Sequence, residues 1–304
     1  MEWITGIQNA INYIESHLTE PIDYELVARK SFSSSYHFQR VFSILSGYTL
    51  GEYIRNRRLS LAGTELAMGK DKVIEIAAKY GYESPDSFAK AFQKFHGITP
   101  SQARGNGAKL RNFSRLYLNI SLEGGSVMEY KIEEKSGLVL TGFKKRFTGA
   151  PYGSDRTRQE EEFFVSTRAK QWLLRGASND YNTDYCVITN VDEDGYDFYI
   201  AATLGTYERE NLYNPKVTGV SFMEQMDFTT IRFPTQTYVV FKTRHMERPV
   251  GEYVDIRRRI VSEWLPGSGC QFAKGPELMI MHWNPNGDSG QRYIEICIPI
   301  EKDN

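Results

Sequence analysis

Residues 76–104, IAAKYGYESPDSFAKAFQKFHGITPSQAR, decide the fold of the first part of this chain. A small and aliphatic run leads into an aromatic turn, and a segment then starts at Ser84 and stops at Gly97. Serine suits the N-cap of a helix, where its hydroxyl accepts from the first-turn amides, and glycine suits the left-handed residue that ends a helix. The stretch therefore predicts two short helices joined by a turn, which is a helix-turn-helix candidate.

The same arrangement occurs fifty residues earlier, in LVARKSFSSSYHFQRVFSILSG at residues 26–47. In each copy two phenylalanines spaced by four share one helix face and are predicted to point into the core. Asp23 is predicted to cap the first helix of the earlier copy. The residues that coincide at this offset are Ala28 with Ala78, Ser34 with Ser84, Phe38 with Phe88, Phe42 with Phe92, Gly47 with Gly97, and Thr49 with Thr99.

The opposite face of each second helix is predicted to point outward, where duplex DNA would meet it. Arginine forks to guanine and glutamine pairs with adenine, so Arg40 and Gln39 are candidate base readers, with a solvated helix face as the weaker alternative. For Asp86 two interpretations stay open, an acceptor from a cytosine amine and a first-turn residue stabilised by the helix dipole. The outward set is Tyr36, Gln39 and Arg40 in the first copy and Asp86, Ala89 and Lys90 in the second.

Between the copies, residues 49–69 read TLGEYIRNRRLSLAGTELAMG, with apolar residues at broadly helical spacing and no proline. We predict one long helix that holds the two recognition helices apart. A separation of about 34 Å would place them in successive major grooves, so that a monomer imitates a dimer. Arg55, Arg57 and Arg58 on this helix either contact DNA or are solvated or paired with acids, and the second interpretation is the commoner one for such clusters.

Residues 1–104 resemble the AraC-type DNA-binding domain. The resemblance is carried by SSSYHFQRVFSILSG, YIRNRRLSLA and the closing stretch quoted first. It implies double-stranded DNA as a partner, RNA polymerase as a second one, and base reading through Tyr36, Gln39 and Arg40. The family often has polar or basic residues where this chain has Pro85 and Asp86. Lys90 is then the one obvious donor of the second recognition helix, and base reading by that helix stays open.

Composition predicts a folded protein of two domains. A chain of 304 residues, 40% hydrophobic and 25% charged, is too long for one ordinary core and has no long apolar run. Residues 1–126 carry a net charge of +3 and residues 127–304 carry −4. The opening MEWITGIQNAINYIESHL lacks the features of an export signal, so the protein is predicted to be cytoplasmic and not membrane-bound.

Cysteine usage excludes some function classes. Cys186, Cys270 and Cys297 lie far apart with no C-x-x-C pair, which argues against a disulfide framework and against a zinc site. We predict no metal and no cofactor. Glycines bracket residues 105–126, which we predict to be a linker. The basic residues of this linker, Lys109, Arg111 and Arg115, are predicted to be solvated rather than bound to phosphates.

From residue 127 onward the pattern changes to alternating strands, interrupted by the helical stretches QEEEFFVSTRAKQWLL and GEYVDIRRRIVSEWL. Each stretch ends in Trp-Leu and lies between strands. We predict an α+β domain, residues 127–304, of two β-α-β-β units, with two sheets and two helices around a ligand cleft. Trp172 and Trp264, at the helix ends, are predicted to belong to the core.

This second part resembles GyrI-like effector-binding domains over residues 127–302. The motifs that carry the resemblance are IRFPTQTYVVFK, YVDIRRRIVSEWLPGSG, KGPELMIMHW and YIEICIPI, in that order. It implies a pocket between the two units for amphipathic, often cationic, compounds, with aromatic walls and a buried carboxylate. Relatives frequently have an acid after KGPEL, where this chain has Met279, so one expected anchor is missing.

Strand alternation in YIEICIPI separates the isoleucines from Tyr293, Glu295 and Cys297. Glu295 beside Tyr293 is the candidate anchor for a cation, with cation-π attraction from the ring. An exposed Glu295, or one paired with an arginine, is an equally weighted alternative. The candidate pocket walls are Trp283, Phe222 and Tyr238.

Three function classes stay open at this point. The favoured one is a regulator in which ligand capture in the second domain changes how the first engages DNA or RNA polymerase. The second is a hydrolase, with Glu295 as general base and a tyrosine as donor, although the sequence shows no nucleophile with a base and an orienting group. The third is a second domain that only dimerises or contacts polymerase. The oligomeric state, monomer or dimer, is open.

Overall fold

The computed structural model describes residues 2–69, 71–105, 107–118, 127–153, 155–180, 182–205, 222–283 and 287–302. Contacts divide the chain into two compact units, residues 1–42 with 48–122, and residues 43–47 with 123–304. Each unit is described by itself. Among the described helices, none combines the length and the apolarity that crossing a membrane requires. The predicted domain bounds at residues 104 and 126 stay a prediction.

The N-terminal unit is built of helices, apart from its turns and the described residues from 107 to 118. Its helices are α1 (Glu2–Ser16), α2 (Tyr24–Arg29), α3 (Ser35–Ser46), α4 (Leu50–Met68), α5 (Val73–Lys79), α6 (Pro85–His96) and α7 (Pro100–Ala103). Helices α2 and α3 form the first helix-turn-helix, and α5 and α6 form the second. The four phenylalanines that coincide in the repeat, Phe38, Phe42, Phe88 and Phe92, are buried, as predicted.

Helix ends follow the capping residues. Asp23 accepts a hydrogen bond from the Glu25 amide, and Ser84 accepts one from Ser87. Gly47 and Gly97 take the left-handed conformation, with φ of 77° and 80°. The predicted caps and stops are confirmed, because local side-chain and backbone chemistry alone fixes these positions.

Helix α4 is the predicted long connecting helix. Its N-cap Thr49 accepts from the Glu52 amide while Glu52 accepts from the Thr49 amide, and its end is a left-handed Gly69. At 19 residues it is about 28 Å long. Gly63, in its middle, allows α6 to approach closely, since a Cβ there would lie 2.6 Å from the His96 ring.

The segment predicted as a linker is bound to this unit over part of its described length. The Phe113 amide donates to Ser60 Oγ at 2.7 Å, and the Leu116 amide donates to Tyr53 Oη at 3.2 Å. Arg115 donates to Asn12 Oδ1. Residues 107–118 thus form an extended strap on the helical unit, because its free backbone amides find acceptors on α1 and α4.

The C-terminal unit is built on one antiparallel sheet with strand order β1-β6-β9-β8-β3-β4-β2-β5, and β7 pairs with β9. Its strands are β1 (Tyr130–Lys135), β2 (Val139–Thr148), β3 (Thr183–Thr189), β4 (Gly195–Ala202), β5 (Thr229–Arg232), β6 (Gln236–Lys242), β7 (Cys270–Phe272), β8 (Glu277–His282) and β9 (Tyr293–Lys302). Its α-helices are α8 (Asp155–Ser166), α9 (Arg168–Gly176), α10 (Phe222–Gln225) and α11 (Val250–Arg259), and a π-helical turn, Ile260–Trp264, continues α11.

The two predicted β-α-β-β units are present. The first runs β2, α8 with α9, β3 and β4, and the second runs β6, α11, β8 and β9. The prediction of two separate sheets is wrong. Strands β3 and β8 pair from Thr183 with His282 to Ile188 with Glu277, and this pairing joins the two units into one sheet.

The helices cover one face of this sheet. Phe163 of α8 packs edge-on against Phe143 and Phe147 of β2. Trp264 is 9% exposed and packs against Phe241 of β6, which confirms its place in the core. Trp172 is 71% exposed, so its predicted place in the core is wrong. The reason is the helical period: α9 turns Leu174 inward, and a residue two positions earlier lies on the other side.

Candidate DNA-binding and effector-binding sites

The second recognition helix, α6, presents a polar face. Asp86 and Lys90 are exposed, while Phe88 and Phe92 on the other side are buried. Asp86 lies in the first turn, next to the Ser84 cap and Pro85, where a negative charge is stabilised by the helix dipole. The outward orientation predicted for Asp86 and Lys90 is therefore present, and it leaves both side chains available to DNA.

The polar side chains of the first recognition helix, α3, are less exposed than those of α6 and are hydrogen-bonded to one another. Tyr36 and Gln39 are half-buried, and Gln39 Nε2 donates to Ser35 Oγ at 3.1 Å. Arg40 is only 7% exposed, and its Nη1 donates to Tyr36 Oη at 3.3 Å. Base reading by Arg40 therefore requires its guanidinium to turn away from this position, and its role stays a prediction.

The arginine cluster on α4 is largely structural. Arg57 donates to both carboxylate oxygens of Glu15 on α1, each at 2.8 Å, and to the Phe113 carbonyl at 2.6 Å. Arg58 donates to the carbonyls of Leu18 and Glu20. Of the three, Arg55 alone is exposed. Pairing with acids and carbonyls, the commoner interpretation, thus holds for Arg57 and Arg58.

A cluster of buried charges lies in a cleft of the C-terminal unit, between α8 and α11. Glu277, at the start of β8, is 4% exposed. It accepts hydrogen bonds from Tyr152 Oη and, at 2.5 Å, from Arg257 Nη2 of α11. Six of the residues that line the cleft are Tyr152, Arg156, Glu160, Val250, Tyr253 and Arg257.

Two buried arginines share the tyrosines of this cleft. The Arg257 guanidinium lies 4.1 Å from the centre of the Tyr152 ring and 5.7 Å from that of Tyr253. Arg156 donates to Tyr253 Oη at 3.0 Å, and its Nε donates to Glu160 at 2.7 Å. The cleft thus contains cations, carboxylates and aromatic faces within a few ångströms of one another.

Electrostatics keep Arg257 charged. Burial lowers its pKa, but the Glu277 carboxylate together with Tyr152 and Tyr253 raises it by more, so the pKa lies well above its ordinary value. Two donors near this pair, Arg257 Nε and Tyr196 Oη, are buried and find no hydrogen-bond partner among the described residues. Because an unpaired buried donor is costly, Arg257 Nε, which belongs to a residue that lines the cleft, is suited to donate to a ligand's oxygen.

The predicted anchor Glu295 lies on the other face of the sheet. It pairs with Ile280 across β8 and β9, whereas Glu277 alternates with Met279. Glu295 forms an ion pair with Lys242 at 2.8 Å, and its other oxygen is 4.0 Å from His282 Nε2. The alternative of a paired Glu295 is therefore the one observed, with a lysine in place of an arginine.

The remaining predicted effector residues lie in different surroundings. Tyr293 stacks between His245 and His282, with ring centroids 4.8 and 4.2 Å away. Tyr238 is buried and donates to the Pro276 carbonyl. Trp283 Nε1 donates to Asp184 at 2.5 Å. The Phe222 side chain lies outside the described residues.

Sequence reasoning missed Glu277, although a signal for it exists. In PELMIMHW, strand alternation places Glu277 on the same face as Met279, two residues before the position at which we expected an acid. Arg257 and Tyr253, four apart in YVDIRRRIVSEWL, share a helix face in the same way. Tyr152 carries no periodic signal because it lies in the turn before α8.

Two family models match this chain, one in its first part and one in its second part. A family model described as a helix-turn-helix domain matches residues 27–106, and one described as an integron-associated effector binding protein matches residues 131–300. The regulatory protein SoxS of Salmonella typhimurium is 40% identical over 98 residues, 32% of this chain and 92% of SoxS. The transcriptional activator AarP of Providencia stuartii is 42% identical over 98 residues, 32% of this chain and 73% of AarP.

Among solved structures, an integron cassette protein from Vibrio cholerae is 17% identical, with a TM-score of 0.36, over 57% of this chain and 95% of that one. The helix-turn-helix pair and the sheet domain with its cleft define a transcription regulator with a DNA-binding and an effector-binding domain. The chain belongs to the AraC family, and its second domain belongs to the integron-associated effector binding proteins, which are GyrI-like. Both resemblances predicted from the sequence are confirmed.

Proposed function

We propose that this chain is a ligand-controlled regulator that acts in the cytoplasm. Capture of a small amphipathic effector in the C-terminal domain changes how the N-terminal domain engages double-stranded DNA or RNA polymerase. The buried Arg257 and Glu277, beside the exposed aliphatic side chains of Val250 and Val254, carry the proposal. Polar and apolar groups that meet in one cleft are what an amphipathic molecule requires.

The family resemblance adds a cationic effector as one form of this proposal. A cation would need a carboxylate and aromatic rings, and in this cleft Glu277, Tyr152 and Tyr253 already bind the Arg257 guanidinium. Glu295 with Tyr293 and Lys242 on the opposite face of the sheet is the second place at which the sequence predicted an anchor. Measuring effector binding to variants of Glu277 and of Glu295 therefore shows which of the two sites binds the effector.

On the DNA side, we propose that both recognition helices take part. Lys90 and Asp86 are exposed on α6, which supports contact with DNA by the second helix. Tyr36, Gln39 and Arg40 remain the proposed base readers of α3. With two readers on one chain, a monomer is sufficient for binding, and a dimer is compatible with the same contacts.

The mechanism is binding and not catalysis. A ligand shifts an equilibrium between two states only by the difference between its affinities for them, so the effector has to favour one functional state of the regulator. The named relatives SoxS and AarP are described as regulators, which supports this class over a hydrolase.

A mobility-shift titration tests the proposal. The full chain is first used to select its own binding fragments from genomic DNA, and binding to one such fragment is then measured with and without lipophilic amines and carboxylates. We expect at least one compound to shift the midpoint, and Arg257→Ala to remove that shift. The exposed Arg158, paired with Glu162 on the surface of α8, provides the matched control, Arg158→Ala. Identical midpoints for every compound would reject the switch.

A further inference from the structure

The cleft between α8 and α11 is already occupied by a cation that belongs to the chain. The Arg257 guanidinium faces the Tyr152 ring at 4.1 Å and donates to the Glu277 carboxylate at 2.5 Å. An aromatic face and a buried carboxylate are the two groups that an organic cation would need. Both are in use before any ligand arrives.

A cationic effector would have to displace Arg257. The side chain is 6% exposed, and its Nη1 also donates to Tyr253 Oη at 3.3 Å. A second buried cation, Arg156, lies 5.5 Å from the Tyr253 ring centre and donates to the same hydroxyl. Two resident arginines repel an incoming cation, and a displaced Arg257 would leave its own charge unpaired.

The anionic head group of an effector would instead be attracted by the two arginines. Arg257 Nε is a buried donor without a partner among the described residues, and an oxygen-bearing anion in the cleft supplies an acceptor for it. Arginine pairs with carboxylates through two donors, and Arg257 has one donor to spare after Glu277 is satisfied. Exposed Val250 and Val254 border the same cleft and offer contact to an apolar body.

We infer that Arg257 fills the cation position of the effector site with the chain's own guanidinium, so that the site selects an amphipathic effector with an anionic head, such as a carboxylate. The inference deepens the proposed function, since it takes this cleft as the effector site. Arg257 is then the residue that determines the sign of charge the site accepts. Glu277 holds it in place, and Tyr152 supplies the surface on which it stacks.

Two probes of the same shape and opposite charge test this. Binding of 2-naphthoate and of 2-naphthylmethylammonium to the full chain is measured by calorimetry in the absence of DNA. We expect the dissociation constant of the carboxylate to be at least ten-fold lower. Equal affinities, tighter binding of the amine, or binding of neither probe would overturn the inference.

Variants give the second arm of the test. In Arg257→Gln, the freed carboxylate and tyrosine rings are expected to reverse the preference, with the amine binding at least ten-fold tighter than in the wild type. In Tyr152→Phe, which keeps the ring, the preference for the anion should remain. If circular dichroism shows that Arg257→Gln is folded and the variant still prefers the carboxylate, the inference is contradicted. If the variant does not fold, the comparison of the two probes on the wild-type protein decides.

The two failures are distinguishable. Because the measurement contains no DNA, selective binding of the carboxylate that leaves the mobility shift unchanged would remove the proposed switch and retain the charge preference. Conversely, a mobility shift caused by amines alone would retain the switch and remove the charge preference.

Discussion

Each unit of the molecule contains a largely shielded arginine paired with a glutamate, and the two pairs differ in how many donors of the arginine are used. Arg57 and Glu15 lie 2.8 Å apart in the N-terminal unit, and Arg257 and Glu277 lie 2.5 Å apart in the C-terminal unit. Arg57 uses all three of its nitrogens, two on Glu15 and one on the Phe113 carbonyl. Arg257 uses two and leaves Nε without a partner among the described residues.

The comparison separates a structural pair from a pair that is suited to a ligand. Every nitrogen of the Arg57 guanidinium already donates to an acceptor within the protein, so none is available to a ligand. Its role is to hold the strap at Phe113 against α1 and α4. The Arg257 guanidinium has an unused donor and stacks on Tyr152 in a cleft, so it can provide both a charge and a hydrogen bond to a ligand. Burial and pairing alone would have placed the two arginines in the same class.

The largest effect should come from the structural pair. In Glu15→Gln, an amide replaces a carboxylate that accepts two hydrogen bonds from Arg57 and one from Tyr53, so three hydrogen bonds are weakened together. We expect a loss of about 3–5 kcal/mol in the free energy of unfolding of the helical unit, because each hydrogen bond to a charged group contributes about 1.5–3 kcal/mol. Urea denaturation followed by far-ultraviolet circular dichroism measures it. Glu162→Gln, at an exposed pair, is the control and should cost less than about 1 kcal/mol.

The ligand-type pair should be less sensitive. In Glu277→Gln, the side-chain carbonyl still accepts from Tyr152, and Arg257 keeps its stacking on that ring. We expect a loss of about 1.5–3 kcal/mol, the range for a hydrogen bond to a charged group. Tryptophan fluorescence reports it, because Trp172, Trp264 and Trp283 all lie in the C-terminal unit. A loss equal to that of Glu15→Gln would remove the distinction between the pairs.

Much of the fold was predictable because its signals are local. The fifty-residue repeat, the Ser84 and Asp23 caps and the stops at Gly47 and Gly97 each depend on a few neighbouring residues. The joining of two sheets into one was not predictable, since it depends on pairing between β3 and β8, about ninety residues apart in the chain. Trp172 was misplaced for a related reason, because the Trp-Leu ending is shared by both helical stretches while their burial is not.

The site was less predictable than the fold. Alternation correctly separated Glu295 from the isoleucines of β9, but it does not say which face the helices cover. Glu277 and Arg257 meet only because α11 packs against the sheet face that carries Glu277, and no spacing in the sequence records that. The pairing of Glu295 with Lys242 likewise depends on the register between β6 and β9.

Arg40, which is buried, extends the comparison to an arginine on a recognition helix. It is 7% exposed and donates to Tyr36, yet it lies on the recognition helix. If it turns out to meet guanine, Arg40→Ala should weaken binding to the specific site by about 1–3 kcal/mol and flatten the preference at one base pair. Competition with scrambled DNA measures this. Equal weakening on all sequences would reduce Arg40 to a phosphate contact, and unchanged binding would place it with Arg57 as a structural residue.

The smallest effect concerns acid, and it tests whether the Arg57 pair behaves as a satisfied ion pair. Burial raises the pKa of Glu15, but the hydrogen bonds from Arg57 and Tyr53 together with the charges of Arg57 and Arg115 lower it by more, so the folded-state pKa lies below the ordinary value of 4.5. As the pH falls toward 4.5, the unfolded chain takes up this proton before the folded chain does, and the free energy of unfolding decreases. The stabilisation is present above that pH and is lost as the pH falls through the folded-state pKa.

Glu15→Gln lacks this carboxylate, so its stability should fall less steeply than that of the wild type as the pH is lowered from 6 into this range. Urea midpoints taken at half-unit steps give the two curves, and other acidic groups contribute equally to both. Parallel curves would mean that Arg57 does not lower the pKa of Glu15. The pair would then stabilise the unit through packing and geometry alone, and its contrast with Arg257 and Glu277 would rest on the unpartnered Nε.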